Sequence, residues 1–348
     1  MKIALLFNQK PDPKAGAGTS VDTYCEWDTP ETIRAVADAL RARHDVVEID
    51  CHPERLPHVI AQLQREKPDL CFNIAEGAGT VSREAQIPAL LDMLGLRYTA
   101  SDAVTLAITL DKARTKEVLS YHQIPTPDFF VIRSLAELDD PAMQSMSFPL
   151  MVKPLHEGSS KGIFERSLVT SRADLVCQVK EVWQEYRQPA LIEAFLPGRE
   201  FTVALLGNGS AVEVLPIIEI AFDLLPPGAK PVYSYEAKWV WDVPTQPIEM
   251  LRCPAPIEPL LKSEIESVCR RAYDVLRCRD WARIDVRLDS TGRAHILEVN
   301  PLPGILPNPD EHSAFPLAAR AHGLNYPQLI NRVVETALRR YEDEKPGS

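Results

Sequence analysis

Over its first hundred residues the chain alternates short apolar runs with amphipathic stretches, and this limits the fold more than any other feature. Lys2–Phe7, Pro30–Arg43, Val46–Asp50, Leu56–Glu66, Asp69–Ile74, Glu84–Leu94 and Arg97–Thr99 read strand, helix, strand, helix, strand, helix, strand. Continuous apolar strands separated by helices predict a parallel sheet covered on both faces. Gly95 supplies the stop for the third helix. With 348 residues the chain is too long for one core of common size, so further domains are expected.

A second section reads as a helix over Asp111–Tyr121, strands at Phe129–Ile132 and Leu150–Pro154, and a helix near Arg172–Tyr186. From Ala190 the pattern changes to strands Leu191–Phe195, Phe201–Leu206 and Val212–Ile220, then a loop rich in Tyr and Trp. A long helix follows over Ile257–Leu276, with Leu260, Leu261, Ile265, Val268, Ala272, Val275 and Leu276 on one stripe. The expected class is α/β with α+β: an open parallel α/β domain over 1–100, a central subdomain over 101–192 and a C-terminal subdomain over 193–348.

Charge and cysteine usage narrow the function. Lys and Arg total 38 against 49 Asp and Glu, a net charge of −11, which lacks the footprint of a nucleic-acid binder. No apolar run approaches the roughly 18 residues of a membrane helix, and the N-terminus is not a signal peptide, so a cytoplasmic protein without membrane partners is expected. The seven cysteines (Cys25, Cys51, Cys71, Cys177, Cys253, Cys269 and Cys278) contain no C-x-x-C pair and read as small hydrophobes.

The most informative chemistry lies in Trp281–Leu288 and His295–Asn300, two alternating runs joined by Asp289-Ser290-Thr291-Gly292. They predict a hairpin. A register symmetric about Ser290 and Thr291 sets Arg283 opposite Glu298 and Asp285 opposite Ile296, with Ala282, Ile284, Val286, Leu288, Leu297 and Val299 on the core face. The other face carries Arg283, Asp285, Glu298 and Asn300. Two carboxylates and an amide oxygen are the hard donors Mg²⁺ prefers beside substrate phosphates. A solvated face with a cross-strand Arg/Glu pair is the plainer reading of the same residues.

Val152-Lys153-Pro154 leads into Glu157-Gly158-Ser159-Ser160-Lys161-Gly162. A strand-end lysine before a loop of glycines and serines offers N–H, hydroxyl and ammonium groups to phosphate oxygens, although the P-loop order is absent and a plain connection has the same composition. Ala15-Gly16-Ala17-Gly18 lacks the third glycine of a dinucleotide fingerprint.

Taken together, Leu110–Lys116, Val152–Pro154, Glu157–Gly162, Gly198–Val203, Tyr233–Lys238, Ala282–Val286 and Glu298–Gly304 resemble the D-alanine–D-alanine ligase family of the ATP-grasp superfamily, from about Asp69 onward. The resemblance implies a two-subdomain ATP-grasp fold after the N-terminal domain. It implies ATP-driven, ADP-forming amide formation between two amino acids through an acyl phosphate. By position, Lys112 and Lys153 contact ATP phosphates beneath the loop Glu157, Gly158, Ser159, Ser160, Lys161 and Gly162. Glu193, Phe195, Leu196 and Glu200 hold adenine and ribose, and Lys238 reaches the γ-phosphate. Asp285, Glu298 and Asn300 bind two Mg²⁺ ions, for which Mn²⁺ is a compatible substitute. Arg283 and the Gly304 N–H stabilise the oxyanion. Partners are small amino-acid substrates, and a homodimer is compatible with the resemblance.

The departures fall at the amino-acid end. The family's tyrosine, which forms a triad with a serine (here Ser159) and an N-terminal glutamate (here Glu26), is replaced by Trp239, whose indole only donates. The family's His-Gly segment is replaced by Asn73–Glu84, and the stretch Ile305–Pro316 after Gly304 is longer. Glu76, Glu84, Trp239 and Ser313 are therefore the expected substrate contacts. A ligase joining different amino acids in specialised metabolism and a nucleotide-binding regulatory module stand as alternatives.

Overall fold

A computed structural model describes residues 1–11, 24, 26–79, 81–237, 250–311 and 313–343. The first unit contains β1 (Lys2–Phe7), α1 (Pro30–Arg41), β2 (Asp45–Asp50), α2 (Leu56–Glu66), β3 (Leu70–Asn73) and α3 (Gln86–Leu94). Its strands form a parallel sheet in the order β2-β1-β3. The side chains of β1 explain why both faces are covered. Ile3 and Leu5 pack with Ile33 and Val36 of α1, while Ala4 and Leu6 meet Val59, Leu63, Ile87 and Leu91 of α2 and α3. Gly95 ends α3 at φ 65°, its N–H reaching Leu91 and Asp92 carbonyls. Arg97–Thr99 does not form the expected fourth strand: it contributes one bridge, Tyr98 to Cys71. The third helix begins at Gln86 rather than Glu84, after a 3-10 turn over Arg83–Ala85.

The next section holds α4 (Ala103–Leu110), α5 (Lys112–Tyr121), β4 (Phe129–Ile132), α6 (Pro141–Gln144), β5 (Leu150–Pro154), β6 (Leu168–Val169), α7 (Arg172–Tyr186) and β7 (Ala190–Ala194). Helix α4 went unread in the sequence, although Asp102 marks its start by accepting from the Thr105 N–H. Asp111 caps α5 through the Ala113 and Arg114 N–H groups, which sets Lys112 at the first helical position. The sheet runs β4-β7-β5-β6 and is antiparallel, with α7 burying Leu175, Val179 and Val182 against it.

The third section comprises β8 (Glu200–Leu206), β9 (Glu213–Val214), β10 (Ile218–Ile220), β11 (Leu251–Arg252), α8 (Pro259–Val275), β12 (Trp281–Leu288), β13 (Ala294–Asn300), α9 (Ala314–Ala321) and α10 (Tyr326–Asp343). Its sheet order is β11-β10-β8-β12-β13, with β9 also on β8. The single strand expected over Val212–Ile220 is broken at Leu215-Pro216-Ile217, where proline has no N–H for the ladder. Helix α8 buries Ile265, Val268, Cys269 and Ala272 beneath β8, β12 and β13. Leu260 is not on this stripe and is 87% exposed; one residue before Leu261, it lies about 100° around the helix. Phe315 of α9 and Leu329 and Val333 of α10 return to the core beside Ile3, Phe72 and Trp281. The first sheet and the last thus share one core, and the uncovered face of the antiparallel sheet looks into a cavity.

Candidate active site

The hairpin β12/β13 supplies the floor of the cavity, but not in the symmetric register. Arg283 lies opposite Asn300 and Asp285 opposite Glu298, and the pairing then shifts so that Val286 faces Ile296. Leu297 is the extra residue of a β-bulge. Ile296 consequently joins the core in place of Leu297. The bulge leaves ladder groups to be satisfied elsewhere. The Ile296 N–H donates to the Pro125 carbonyl, the Ile296 carbonyl accepts from Thr126 Oγ1, and the Leu297 carbonyl accepts from Lys116 Nζ. Beyond it, Glu298 and Asn300 face the cavity beside Arg283 and Asp285.

These four side chains already interact. Arg283 donates to both Asp285 oxygens at 3.2 and 3.0 Å and lies 3.5 Å from Glu298. Thr202 Oγ1 donates to Asp285 at 2.6 Å, and Asn300 Nδ2 to Glu298 at 3.3 Å. Burial opposes ionisation of Glu298, yet Lys112, Arg283 and Lys153 together hold it well below the usual carboxylate range. For Asp285 burial wins over Arg283, and with Glu298 opposite, its pKa is raised. Oxygen donors from two adjacent strands, with cations beside them, fit a divalent metal carrying phosphates.

Above this floor Lys112 Nζ stands 3.4 Å from Glu298 and donates to the Glu157 carbonyl. Lys112, Glu157, Gly158, Ser159, Ser160, Glu200, Arg283, Asp285, Glu298, Asn300 and Gly304 all line the same cavity of about 260 Å³. The remaining nucleotide candidates lie outside that lining. The Glu193 carboxylate, expected at adenine and ribose, is buried between Lys116 at 2.7 Å and Lys153 at 2.5 Å. Burial opposes its charge, but the two ammonium groups hold its pKa down to about 2. Lys153 is thereby committed to a protein carboxylate rather than pointing freely at the cavity. Phe195, also expected at adenine, lies under the Arg287 guanidinium at 4.6 Å. Arg287 in turn pairs with Glu200 at 2.7 Å. Leu196 and Gly162 lie in the neighbouring turns, and Lys161 pairs with Glu157 at 3.0 Å.

At the other end the cavity reaches Glu26, Asp28, Glu76, Glu84 and Ser313. Asn8, at the end of β1, accepts from the Gly77 N–H at 2.8 Å, and Trp27 donates to the Gly77 carbonyl at 3.0 Å, which fixes the turn that presents Glu76. Gly77 has φ 70°, and a Cβ there would fall 2.2 Å from the Arg83 carbonyl. Glu26 does not offer a free carboxylate: Arg83 Nη2 donates to both its oxygens at 2.7 and 2.9 Å. Burial raises Glu84 to about 7, with Glu26 also raising it, against Arg83 and Lys112. Burial and then Glu84 push Glu76 well up, and burial carries Asp28 to about 7. Ser313 donates to the Gly304 carbonyl at 3.0 Å and accepts from the Leu306 N–H at 3.2 Å. Its hydroxyl therefore braces the turn after β13 rather than standing free for substrate. Lys238, Trp239 and Ala15–Gly18 lie outside the described residues.

Four contributors went unread in the sequence: Arg83, Lys116, Thr202 and Arg287. Two carried a signal. Lys116 is four residues from Lys112, hence on the same helical face, and Thr202 shares the β8 face with Glu200. Arg83 carried none, since its partner Glu26 is 57 residues away.

A family model described as the D-ala D-ala ligase C-terminus matches residues 118–335. D-alanine–D-alanine ligase B of Pseudomonas putida is 37% identical over 308 residues, covering 87% of this chain and 86% of that protein. An uncharacterized protein y4sG of Sinorhizobium fredii is 39% identical over 272 residues, covering 78% of this chain and 75% of its own length. In fold, the chain is similar to the crystal structure of D-alanine–D-alanine ligase from Bacillus anthracis complexed with ATP. The TM-score is 0.73 at 21% identity, over 99% of this chain and 100% of that one. Among the described residues no helix is long and apolar enough to cross a membrane.

Proposed function

This chain belongs to the D-alanine–D-alanine ligase family, and from that premise we propose that it is an ATP-dependent, ADP-forming ligase joining two amino acids at the cavity between its antiparallel sheets. The observation that carries this reading is the bulged hairpin, which sets Asp285 directly opposite Glu298 with Arg283 and Asn300 alongside. The proposed division is an N-terminal domain to residue 100, a central subdomain to 192 and a C-terminal subdomain beyond. ATP is the phosphoryl donor, and a divalent metal is held by Asp285, Glu298 and Asn300, most simply as two Mg²⁺ ions.

A carboxylate is a poor electrophile at neutral pH, which explains the need for ATP. An oxygen of the first amino acid attacks the γ-phosphorus, the bond to the β-phosphate bridging oxygen breaks, and ADP leaves. The second amino acid's amine then attacks the acyl carbon and gives up a proton as inorganic phosphate departs. Magnesium at the carboxylates would neutralise phosphate oxygens during transfer. Lys112 faces the same oxygens from the opposite wall. Arg283 is placed to stabilise the tetrahedral oxyanion with the N–H of Gly304. Glu76 and Glu84 line the cavity and are raised by burial, with Arg83 only partly offsetting it, so they are the groups proposed for the first substrate's ammonium. Glu26 is neutralised by Arg83. This rearranged end supports substrates other than D-alanine at one or both positions.

The test is phosphate release from Mg·ATP with single and paired D- and L-amino acids, in the wild type and in Trp239→Tyr. A pair other than D-Ala with D-Ala giving the highest kcat/KM is expected, with Trp239→Tyr moving the preference. D-Ala with D-Ala as the best pair in both proteins would make this an ordinary D-alanine–D-alanine ligase. No release with any amino acid would overturn the ligase reading.

A further inference from the structure

Three segments distant in sequence meet at Arg83. Its Nη2 holds both oxygens of Glu26, and its Nη1 donates to the His156 carbonyl at 2.7 Å. Glu26 Oε1 also accepts from the Gly158 N–H at 3.0 Å. The segment before α1, the turn before α3 and the start of the glycine loop are thus joined through one guanidinium and one carboxylate. Both side chains are nearly buried, with exposures of 9% and 12%.

The loop is built around this junction. A Cβ on Gly158 would lie 2.4 Å from Glu26 Oε1, so the seated carboxylate requires glycine there. The next two residues, Ser159 and Ser160, sit at φ 51° and 59°. Left-handed conformations in two consecutive L-residues persist only where the surroundings hold them. Glu26 holds the loop at Gly158, and Ser160 Oγ, donating to the Tyr233 carbonyl at 3.0 Å, holds it further on.

We infer that Arg83 is a positioning residue: with Glu26 it forms a latch that keeps the Glu157–Gly162 loop in its phosphate-covering conformation. The inference rests on the reading that this loop covers nucleotide phosphates. It also accounts for Trp239. The triad implied by the family resemblance reaches the loop through a tyrosine hydroxyl, whereas this latch reaches it through the backbone of His156 and Gly158 and needs no hydroxyl at position 239. Because Glu76 and Glu84 flank the same guanidinium, the latch also lies against the wall where the first amino acid is proposed to bind.

The experiment uses tryptic cleavage after Lys161, followed by mass spectrometry on the full chain, together with KM for ATP in the phosphate-release assay. Arg83→Gln, Glu26→Gln and the double variant are compared with the wild type. Each single variant is expected to raise the cleavage rate at Lys161 by about tenfold, as the loss of a charge-assisted contact in a strained loop should. The double variant should be no faster, because both substitutions open one latch. Cleavage at the exposed Arg172 and Lys262 should stay unchanged, which separates the latch from general unfolding. KM for ATP should rise by a similar factor, with kcat changing far less. Unchanged cleavage at Lys161 in Arg83→Gln, or single effects that multiply in the double variant, would overturn the inference. If Arg83→Gln does not fold, the isosteric Glu26→Gln decides by the same readings. Cleavage without nucleotide requires no turnover, so a protein that releases no phosphate with any amino acid would count against the ligase reading and leave the latch to be decided by cleavage.

Discussion

The two ends of the cavity differ in how many of their carboxyls have a cation in contact. At the nucleotide end Glu298 lies beside Lys112 and Arg283, and Glu193, behind the lining, touches two lysines, so both carboxyls stay ionised far into acid. Burial raises Asp285 and Glu200, but each has an arginine in contact. At the amino-acid end Glu76, Glu84 and Asp28 share the field of Arg83 and Lys10, and burial raises all three. The first end carries its own counter-charges and is organised before any ligand arrives. The second has carboxylates in excess of cations, which is the polarity an incoming ammonium would relieve.

The largest effect should come from Glu298→Gln. It removes one charge opposite Asp285 at constant volume, and phosphate release is expected to fall by about a thousandfold with an unchanged far-UV circular dichroism spectrum. More than a tenth of wild-type activity at limiting Mg²⁺ would break the contrast, because the nucleotide end would then not depend on its carboxylate. Next is Lys116→Met, which deletes one of the two cations on Glu193 and the donor to the Leu297 carbonyl. Leaving a buried carboxylate half-compensated should cost about 3 kcal/mol in urea denaturation; a loss under 1 kcal/mol would show that Lys153 alone suffices.

The smallest and most diagnostic change is Glu84→Gln. A carboxyl raised from 4.5 to about 7 in the folded state binds more protons folded than unfolded between those values, so stability falls as pH rises through that window. Replacing it with a neutral amide should raise Tm by a few degrees at pH 8.5 and have little effect at pH 4.5, read by thermal melts without ligand. An equal shift at both pH values would mean that Glu84 ionises normally and that the two ends are alike.

The alternation of β1 to β3 with their helices was readable because period and burial agree on both faces of that sheet. The hairpin was readable as a hairpin, and its polar face was assigned correctly at Arg283, Asp285, Glu298 and Asn300. Its register was not, because Ile296 and Leu297 are both apolar and adjacent, so nothing local says which of them is the extra residue. The answer comes from Lys116, Pro125 and Thr126, which take up the bulge's carbonyls and N–H from outside the sheet. The partners of Glu193 were hidden for a related reason: nothing local to a glutamate on an otherwise apolar strand announces the two buried lysines, Lys116 and Lys153, that it meets. Ser313 illustrates the same point, its hydroxyl being taken up by the backbone of Gly304 and Leu306.

The bulge at Leu297 acts as a phase reset along β13. On the turn side, Ala294 and Ile296 keep the even-numbered residues inward; past it, Val299 points inward and Glu298 and Asn300 are released to the cavity. One strand therefore carries two independent reading frames, a packing frame and a chemical frame, separated by a single residue. Length changes in the Asp289–Arg293 turn leave both frames intact, and losing Leu297 itself would only remove the bulge, with Glu298 still opposite Asp285, whereas losing Val299 would turn Asn300 toward the hydrophobic core. The site is thus protected against drift in its turn and at the bulge, and exposed to it between Glu298 and Asn300, where one residue gained or lost would part the two side chains.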